Sequence, residues 1–226
     1  MTAAYDQLRA LASDPGRLRW PAQLSRTDVG QEKERKHHPA AVLILFGVRD
    51  DAAGAVDNAT PLDLDILLLA RANTLRHHPG QVSFPGGRLD PGDAGSVAAA
   101  LREAVEETGL DPAGVEILGE LPPAPLAVSG HIVTPVLSWW TRPTPVTAVD
   151  QQESAEVFRV PVADLIDPAN RCTAVARRRI HTPAFTVQAA RKDHLIWGFT
   201  AMILDTLLAA LGWSVPWDAA RIVPVE

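Results

Sequence analysis

The chain has 226 residues, of which 46% are hydrophobic and 21% charged, with a formal net charge of −6. Those proportions fit an ordinary globular chain and exclude a disordered, collagenous or coiled-coil one. The acidic balance argues against nucleic acid as the main partner, although a divalent cation can still bring in a phosphate-rich small molecule.

Cys172 is the single cysteine, which excludes intramolecular disulfides and makes a cysteine-based zinc site implausible. No segment has the 18 to 20 or so apolar residues that span a bilayer, and the start of the chain lacks the apolar core of a secretory signal. A cytoplasmic protein that contacts neither membrane nor nucleic acid is the expectation. Proline is frequent, at 19 residues, so connections should be many and helices few.

In chain order, residues 1–36 read as a lead-in ahead of one domain over 37–226. The lead-in holds a short amphipathic helix around Tyr5, Leu8 and Leu11. It ends in a charge run, Glu32 to Lys36, which fits solvated surface; Lys33, Arg35 and Lys36 are lesser candidates for an anionic ligand. Ala41 to Phe46 is a continuous apolar run of strand length. The stretch from Asp50 to Pro61 is loop-like, and Leu64 to Leu69 is a second strand, so the two should form a hairpin.

Gln81 to Phe84 is a short strand that stops at Pro85. Ser96 to Thr108 is the clearest helix, with Ser96 as N-cap and Gly109 where a left-handed C-cap is wanted. Further strands are expected at Val115 to Leu118, Ile132 to Trp139, Glu156 to Pro161 and Phe185 to Val187, and an apolar helix from Leu195 to Leu211 closes the chain. The order is that of an α+β protein. The last helix and Trp139-Trp140 fit core or a homodimer contact better than a base-stacking platform.

The chemistry concentrates in the central helix. On a helical wheel Val97, Leu101, Ala104, Val105 and Thr108 share one arc, while Glu103, Glu106 and Glu107 gather opposite. Glu103 and Glu107 are one turn apart, and Arg102 is four before Glu106 and can pair with it. Three carboxylates at the negative end of a helix repel one another, which a merely solvated face would avoid. A bound Mg²⁺ or Mn²⁺ removes the conflict, because such ions prefer carboxylate oxygens. Just upstream, Phe84-Pro85-Gly86-Gly87 gives a tight turn and allows close backbone approach.

Together these residues resemble the box of the Nudix hydrolases, G-x5-E-x7-R-E-U-x-E-E-x-G-U, where U is aliphatic. Arg102 to Leu110 matches, with Ala104 as a small U. Counting back from Arg102 puts the box glutamate at Ala94 and the box glycine at Arg88. One extra residue restores the register, giving 24 positions from Gly87 to Leu110 with Asp93 as the acidic residue. That longer form looks like the coenzyme A diphosphatase branch.

A second motif of that branch, L-L-T-x-R-S-x3-R-x3-G-x3-F-P-G-G, reads here as Leu67, Leu68, Leu69, Ala70, Arg71, Ala72, then Arg76, Gly80 and Phe84 to Gly87. Leu69 replaces its threonine and Ala72 its serine. Ser129-Gly130, Glu156 to Phe158, Val160-Pro161 and Ile196 to Ala201 extend the likeness over residues 38 to 212.

The resemblance implies the Nudix α/β/α sandwich, a mixed sheet between helices. It also implies hydrolysis of a pyrophosphate attached to a nucleoside. For coenzyme A, free or acylated, the products would be 3′,5′-ADP and 4′-phosphopantetheine; ADP-ribose, a dinucleotide or an oxidised nucleoside triphosphate are the alternative substrates. Mg²⁺ or Mn²⁺ would sit on Glu103 and Glu107, with Glu106 either a third ligand or the partner of Arg102. Glu107, Glu106 and Arg102 form the catalytic set, with Glu107, Glu153 or Glu156 as general base. Arg71 and Arg76 would grip phosphates through their guanidinium forks, beside Gly86 and Gly87.

His77 with His78, and His37 with His38, are poor metal ligands, since adjacent side chains on a strand diverge. Arg177 to Arg179 fit an exposed turn better than a 3′-phosphate contact, and Cys172 fits an inert thiol. A Nudix-fold module that binds without hydrolysis typically loses box carboxylates, whereas this chain keeps three.

Overall fold

A computed structural model describes residues 4–25, 38–55, 58–72, 80–126, 130–150, 152, 154–176 and 180–225. In chain order the elements are α1 (Ala4–Ser13), β1 (His38–Val48), β2 (Leu64–Arg71), β3 (Val82–Ser83), β4 (Gly86–Arg88), α2 (Ser96–Thr108), β5 (Val115–Glu120), β6 (Ala124–Leu126), β7 (His131–Trp140), β8 (Ser154–Pro161), α3 (Val162–Ile166), β9 (Arg171–Ala176), β10 (Ile180–Ala189), β11 (Lys192–Ile196), α4 (Gly198–Ala210) and β12 (Ile222–Pro224).

β1 is the spine because both of its faces are apolar, the pattern of a strand buried on two sides. Ala41, Leu43 and Leu45 pack under α2 with Ala99, Ala100 and Ala104. Ile44, Phe46 and Val48 face the larger core with α1, α4 and the second sheet. Each such Leu, Ile, Val or Phe side chain withdrawn from water contributes roughly 1.5–3 kcal/mol. β1 runs parallel to β7 along its length. The expected hairpin forms, with Phe46 opposite Ile66, and β8 pairs the other edge of β2.

On the N-terminal side of Phe46, β1 separates from β2, and a wedge of two short strands fills the split. β3 pairs the far end of β2, and β4 pairs the near end of β1 with Val42 opposite Gly86. At the joint, Leu43 N donates to Pro85 O (2.8 Å). This wedge sets Gly86 and Gly87 beside Val42 and Ala41 of β1.

β9 to β12 form a separate four-stranded sheet in the order β11-β10-β9-β12. Of these strands the sequence pattern gives only the middle of β10. The expected helix from Leu195 is corrected at its start: Lys192–Ile196 is a strand paired with β10, and α4 begins at Gly198. Ala190 and Arg191 turn the hairpin with φ of 48° and 67°, and Gly198 follows with φ 66°. α4 itself is buried within this chain at Thr200 to Leu204 and at Leu207 and Leu208. No helix among the described residues is long and apolar enough to cross a membrane. The described part of the lead-in shares the main core through Leu8, Leu11, Leu18 and Leu24.

At the end of the β1–β2 hairpin, Asp65 is buried beside Arg159, with Arg159 Nε 2.8 Å from Asp65 Oδ2. Burial raises the Asp65 carboxyl from 3.8 to about 6, against the pull of Arg159. Between those values the folded chain keeps a proton that the unfolded chain has lost, so this group makes stability fall as pH rises through the window. The shift corresponds to about 3 kcal/mol. Denaturant titrations should show wild type losing stability relative to Asp65→Asn between about pH 4 and 7; parallel curves would refute the assignment.

Candidate active site

α2 is bounded by two glycines. Gly95 precedes it with φ 135°, and Gly109 closes it in the left-handed conformation with φ 67°, its N–H meeting Val105 O. Ser96 is thus the first helical residue rather than the cap. The expected apolar arc is also rotated. The buried positions are Ala99, Ala100, Ala104 and Thr108, whereas Val105 is 38% exposed. Alanine methyls let the helix lie close against β1 and β4. In that orientation Glu103 and Glu107 are half-buried beside the sheet instead of opposite it.

Both glycines of the turn are needed for this approach. Gly86 has φ 153°, and a Cβ there would collide with Ala41 O and lie 2.6 Å from Val42 Cα. Its N–H donates to Glu107 Oε2 (2.9 Å). At Gly87 a Cβ would fall 2.5 Å from Glu103 Cδ, so this carboxylate rests directly on the glycine.

Arg102 organises the remaining charges. Its Nε and Nη2 donate to Asp93 Oδ1 and Oδ2, each at 3.1 Å. Nη1 donates to Glu103 Oε1 (3.0 Å) and to Glu106 Oε2 (3.1 Å). Nη2 also reaches Arg88 O (3.0 Å). Asp93 in turn accepts from Asp90 N (2.8 Å), so the loop before α2 closes on the same guanidinium.

The electrostatics follow. Hydrogen bonds from Arg102 hold the Asp93 carboxyl below its usual range, and the same bonds raise Arg102 further. Burial pushes the Glu103 carboxyl up, with Arg102 opposing. Glu106 is the more open carboxylate, with its side chain 57% exposed against 19% for Glu103.

This donor set fits a hard divalent cation. Glu103 and Glu107 are carboxylates one helical turn apart, both seated on the glycine turn. Among the described residues no group of three or more His, Cys, Asp or Glu side chains converges as a closed metal cage. Mg²⁺ does not require one, since it binds through one or two carboxylates and completes its shell with water and substrate phosphates.

The structure therefore brings Gly86, Gly87, Arg102, Glu103, Glu106 and Glu107 into one cluster. Arg71 ends β2, on the hairpin that leads through β3 to the glycine turn; its N–H donates to Gln81 O and its carbonyl accepts from Gly80 N. Glu156 lies elsewhere, 3.5 Å from His194 and 3.6 Å from Lys192. Arg76, His77, His78, Glu153, Ser129, His37, the charge run at 32–36 and Arg177 to Arg179 lie outside the described residues. Cys172 is buried, which pushes its thiol up, and Trp139 and Trp140 belong to the core. Two side chains that sequence reasoning missed adjoin the cluster. Arg88 Nε donates to His131 Nε2 (2.9 Å), a contact across 43 residues that no local pattern signals.

A wedge-split mixed sheet with a carboxylate helix clamped on a Gly-Gly turn defines a class of metal-assisted hydrolases. The chain belongs to the Nudix family: the model of the NUDIX domain matches residues 37–181. The uncharacterized Nudix hydrolase NudL of Escherichia coli (strain K12) is 36% identical over 190 residues, covering 84% of this chain and 91% of that protein. NudL of Shigella boydii serotype 4 gives the same figures. Solved structures are more distant. RenU, a Nudix hydrolase from M. smegmatis, has 24% identity and a TM-score of 0.39, covering 55% of this chain and 71% of that one. The NUDIX domain of Shewanella oneidensis NrtR, complexed with ADP ribose, has 21% identity and a TM-score of 0.43, covering 63% and 82%. The protein is a Nudix hydrolase, of a family that acts on nucleoside diphosphate derivatives and generally uses divalent metals.

The two glycines should fail differently. Gly86→Ala forces backbone against backbone and should cost more than about 2 kcal/mol in unfolding free energy. Gly87→Ala meets only the end of a side chain, so the fold should survive while Glu103 is displaced and activity falls about 100-fold. Thermal melts and turnover on the two variants check this; equal stability losses would contradict it.

Proposed function

We propose that this Nudix hydrolase cleaves the pyrophosphate bond of coenzyme A or its acyl esters, yielding 3′,5′-ADP and 4′-phosphopantetheine. The observation that carries the reading is the Asp93–Arg102 pair, 3.1 Å at both oxygens. It supports the 24-position register, in which Asp93 takes the role of the box acid and the added residue falls between Asp93 and Arg102, where Gly95 turns the chain at φ 135°. That register and the Arg71 to Gly87 motif both point to the coenzyme A branch, and β2, β3 and β4 carry the described residues of the motif up to the box.

Glu103 and Glu107 would hold a divalent ion, which would supply positive charge against the polyanionic diphosphate and make water more acidic. The chain's own residues do the rest. Gly86 and Gly87 leave room for a phosphate to approach the carboxylates. Arg71 binds phosphate oxygens through its fork. Arg102 holds Glu103 in place and keeps Glu106 from repelling it. Glu107, fixed by the Gly86 N–H, is the proton acceptor best placed for the attacking water. Glu156 fits that role less well, because it sits with Phe158 on the sheet face away from α2, between His194 and Lys192.

Incubation of the protein with coenzyme A and Mg²⁺ or Mn²⁺ should release 3′,5′-ADP and 4′-phosphopantetheine. Glu107→Gln should cut the rate by at least about 100-fold. Intact coenzyme A under both metals, with turnover of ADP-ribose or a nucleoside triphosphate instead, would move the enzyme to another Nudix substrate. No turnover of any of them would make it a binding module.

A further inference from the structure

Gly87 and Arg88 are neighbours on β4, so they address opposite faces of the sheet. Gly87 lies opposite Ala41 and carries Glu103 on the α2 side. Arg88 lies opposite Ala40 and projects to the other face. There His38 and His131 face each other in register across β1 and β7, with ring centroids 5.9 Å apart. Arg88 joins them through the Nε–His131 Nε2 bond of 2.9 Å. For His131 to accept at Nε2 it must be neutral there. Burial chiefly, then the charge of Arg88, holds its pKa below the usual value, which favours that form.

This contact turns the guanidinium in a definite direction. With Nε engaged, the Nη1 and Nη2 edge is left as a two-pronged donor. No carboxylate among the described residues lies within ion-pair distance of Arg88, although Arg102 takes four of them within 4 Å. The Arg88 guanidinium thus stands beside two histidine rings with no carboxylate partner of its own among the described residues, in a chain of net charge −6. The backbone beneath them is fixed to the catalytic cluster, because Arg88 O accepts from Arg102 Nη2.

A surface Arg–His contact accounts for the 2.9 Å bond. It leaves unexplained why the fork is aimed, unpaired, one residue from the glycine turn. We propose that Arg88, positioned by His131 and assisted by His38, is an anion subsite for a phosphate monoester that the substrate carries outside its scissile diphosphate. The site lies across the sheet from Glu103, so the group it meets is not the phosphorus under attack. The inference deepens the coenzyme A reading and rests on it, since coenzyme A bears such a phosphate at its 3′ position.

The test has two arms on the full chain. In the first, wild type and Arg88→Gln are titrated without metal against 3′,5′-ADP and 5′-AMP, following the His38 and His131 ring protons by NMR. Wild type should bind 3′,5′-ADP about tenfold more tightly, as expected for a charge-assisted fork, with both rings shifting. Arg88→Gln should lose the preference, and Arg88→Lys should restore part of it. Equal affinities in wild type, or a preference that survives in Arg88→Gln, overturn the subsite.

In the second arm, KM and kcat are measured on coenzyme A and 3′-dephospho-coenzyme A. Arg88→Gln should raise KM about tenfold for coenzyme A alone and leave kcat nearly unchanged. An unchanged KM ratio overturns the subsite while the hydrolase reading stands. Absence of cleavage by wild type, with the nucleotide preference intact, overturns the coenzyme A reading and keeps the phosphate subsite.

Discussion

The guanidinium of Arg102 is the interaction on which the site depends. Asp90, Asp93, Glu103 and Glu106 all lie within 4 Å of its nitrogens, and carboxylates so close would repel without a cation among them. A planar fork satisfies several at once, which an ammonium could not do with the same geometry. One edge takes Asp93 in a bidentate grip, while Nη1 reaches along the helix to Glu103 and Glu106. The same group therefore ties the loop before α2 to the helix and, through Arg88 O, to β4.

That clamp works only because the backbone around it is bare. Gly86 and Gly87 have no side chain to hold Glu107 and Glu103 away from the turn. Ala99, Ala100 and Ala104 let α2 settle onto the sheet. The split between β1 and β2 gives the turn its location, because the short strands β3 and β4 must fill the gap. Packing thus sets where the carboxylates stand, and Arg102 sets how they are presented. A metal-assisted hydrolase needs both, since its ligands must be held before substrate arrives.

Much of this was legible in the sequence because the signals were local. The apolar run at 41–46, the hairpin to 64–69 and the helix with Gly109 at its end follow from periodicity and capping. The spacing from Gly87 to Leu110 located the carboxylates, and the extra residue pointed to Asp93. What escaped depended on tertiary contact. The rotation of α2, which exposes Val105, is set by how closely alanines approach a sheet. The strand at Lys192–Ile196 read as helix because its turn uses Ala190 and Arg191 in the left-handed region, where glycine or asparagine normally signals the bend. Arg88 and His131 meet only because β1 carries β4 on one edge and β7 on the other.

The most direct test of this account is the affinity of the protein for Mn²⁺, measured by titration calorimetry in wild type and Asp93→Ala. Asp93 is not itself assigned to the metal; it acts only by fixing Arg102 and, through it, Glu103. If that chain of contacts presents the carboxylates, Asp93→Ala should weaken Mn²⁺ binding by about 10- to 100-fold with the fold intact. Unchanged affinity in a folded Asp93→Ala variant would contradict the account.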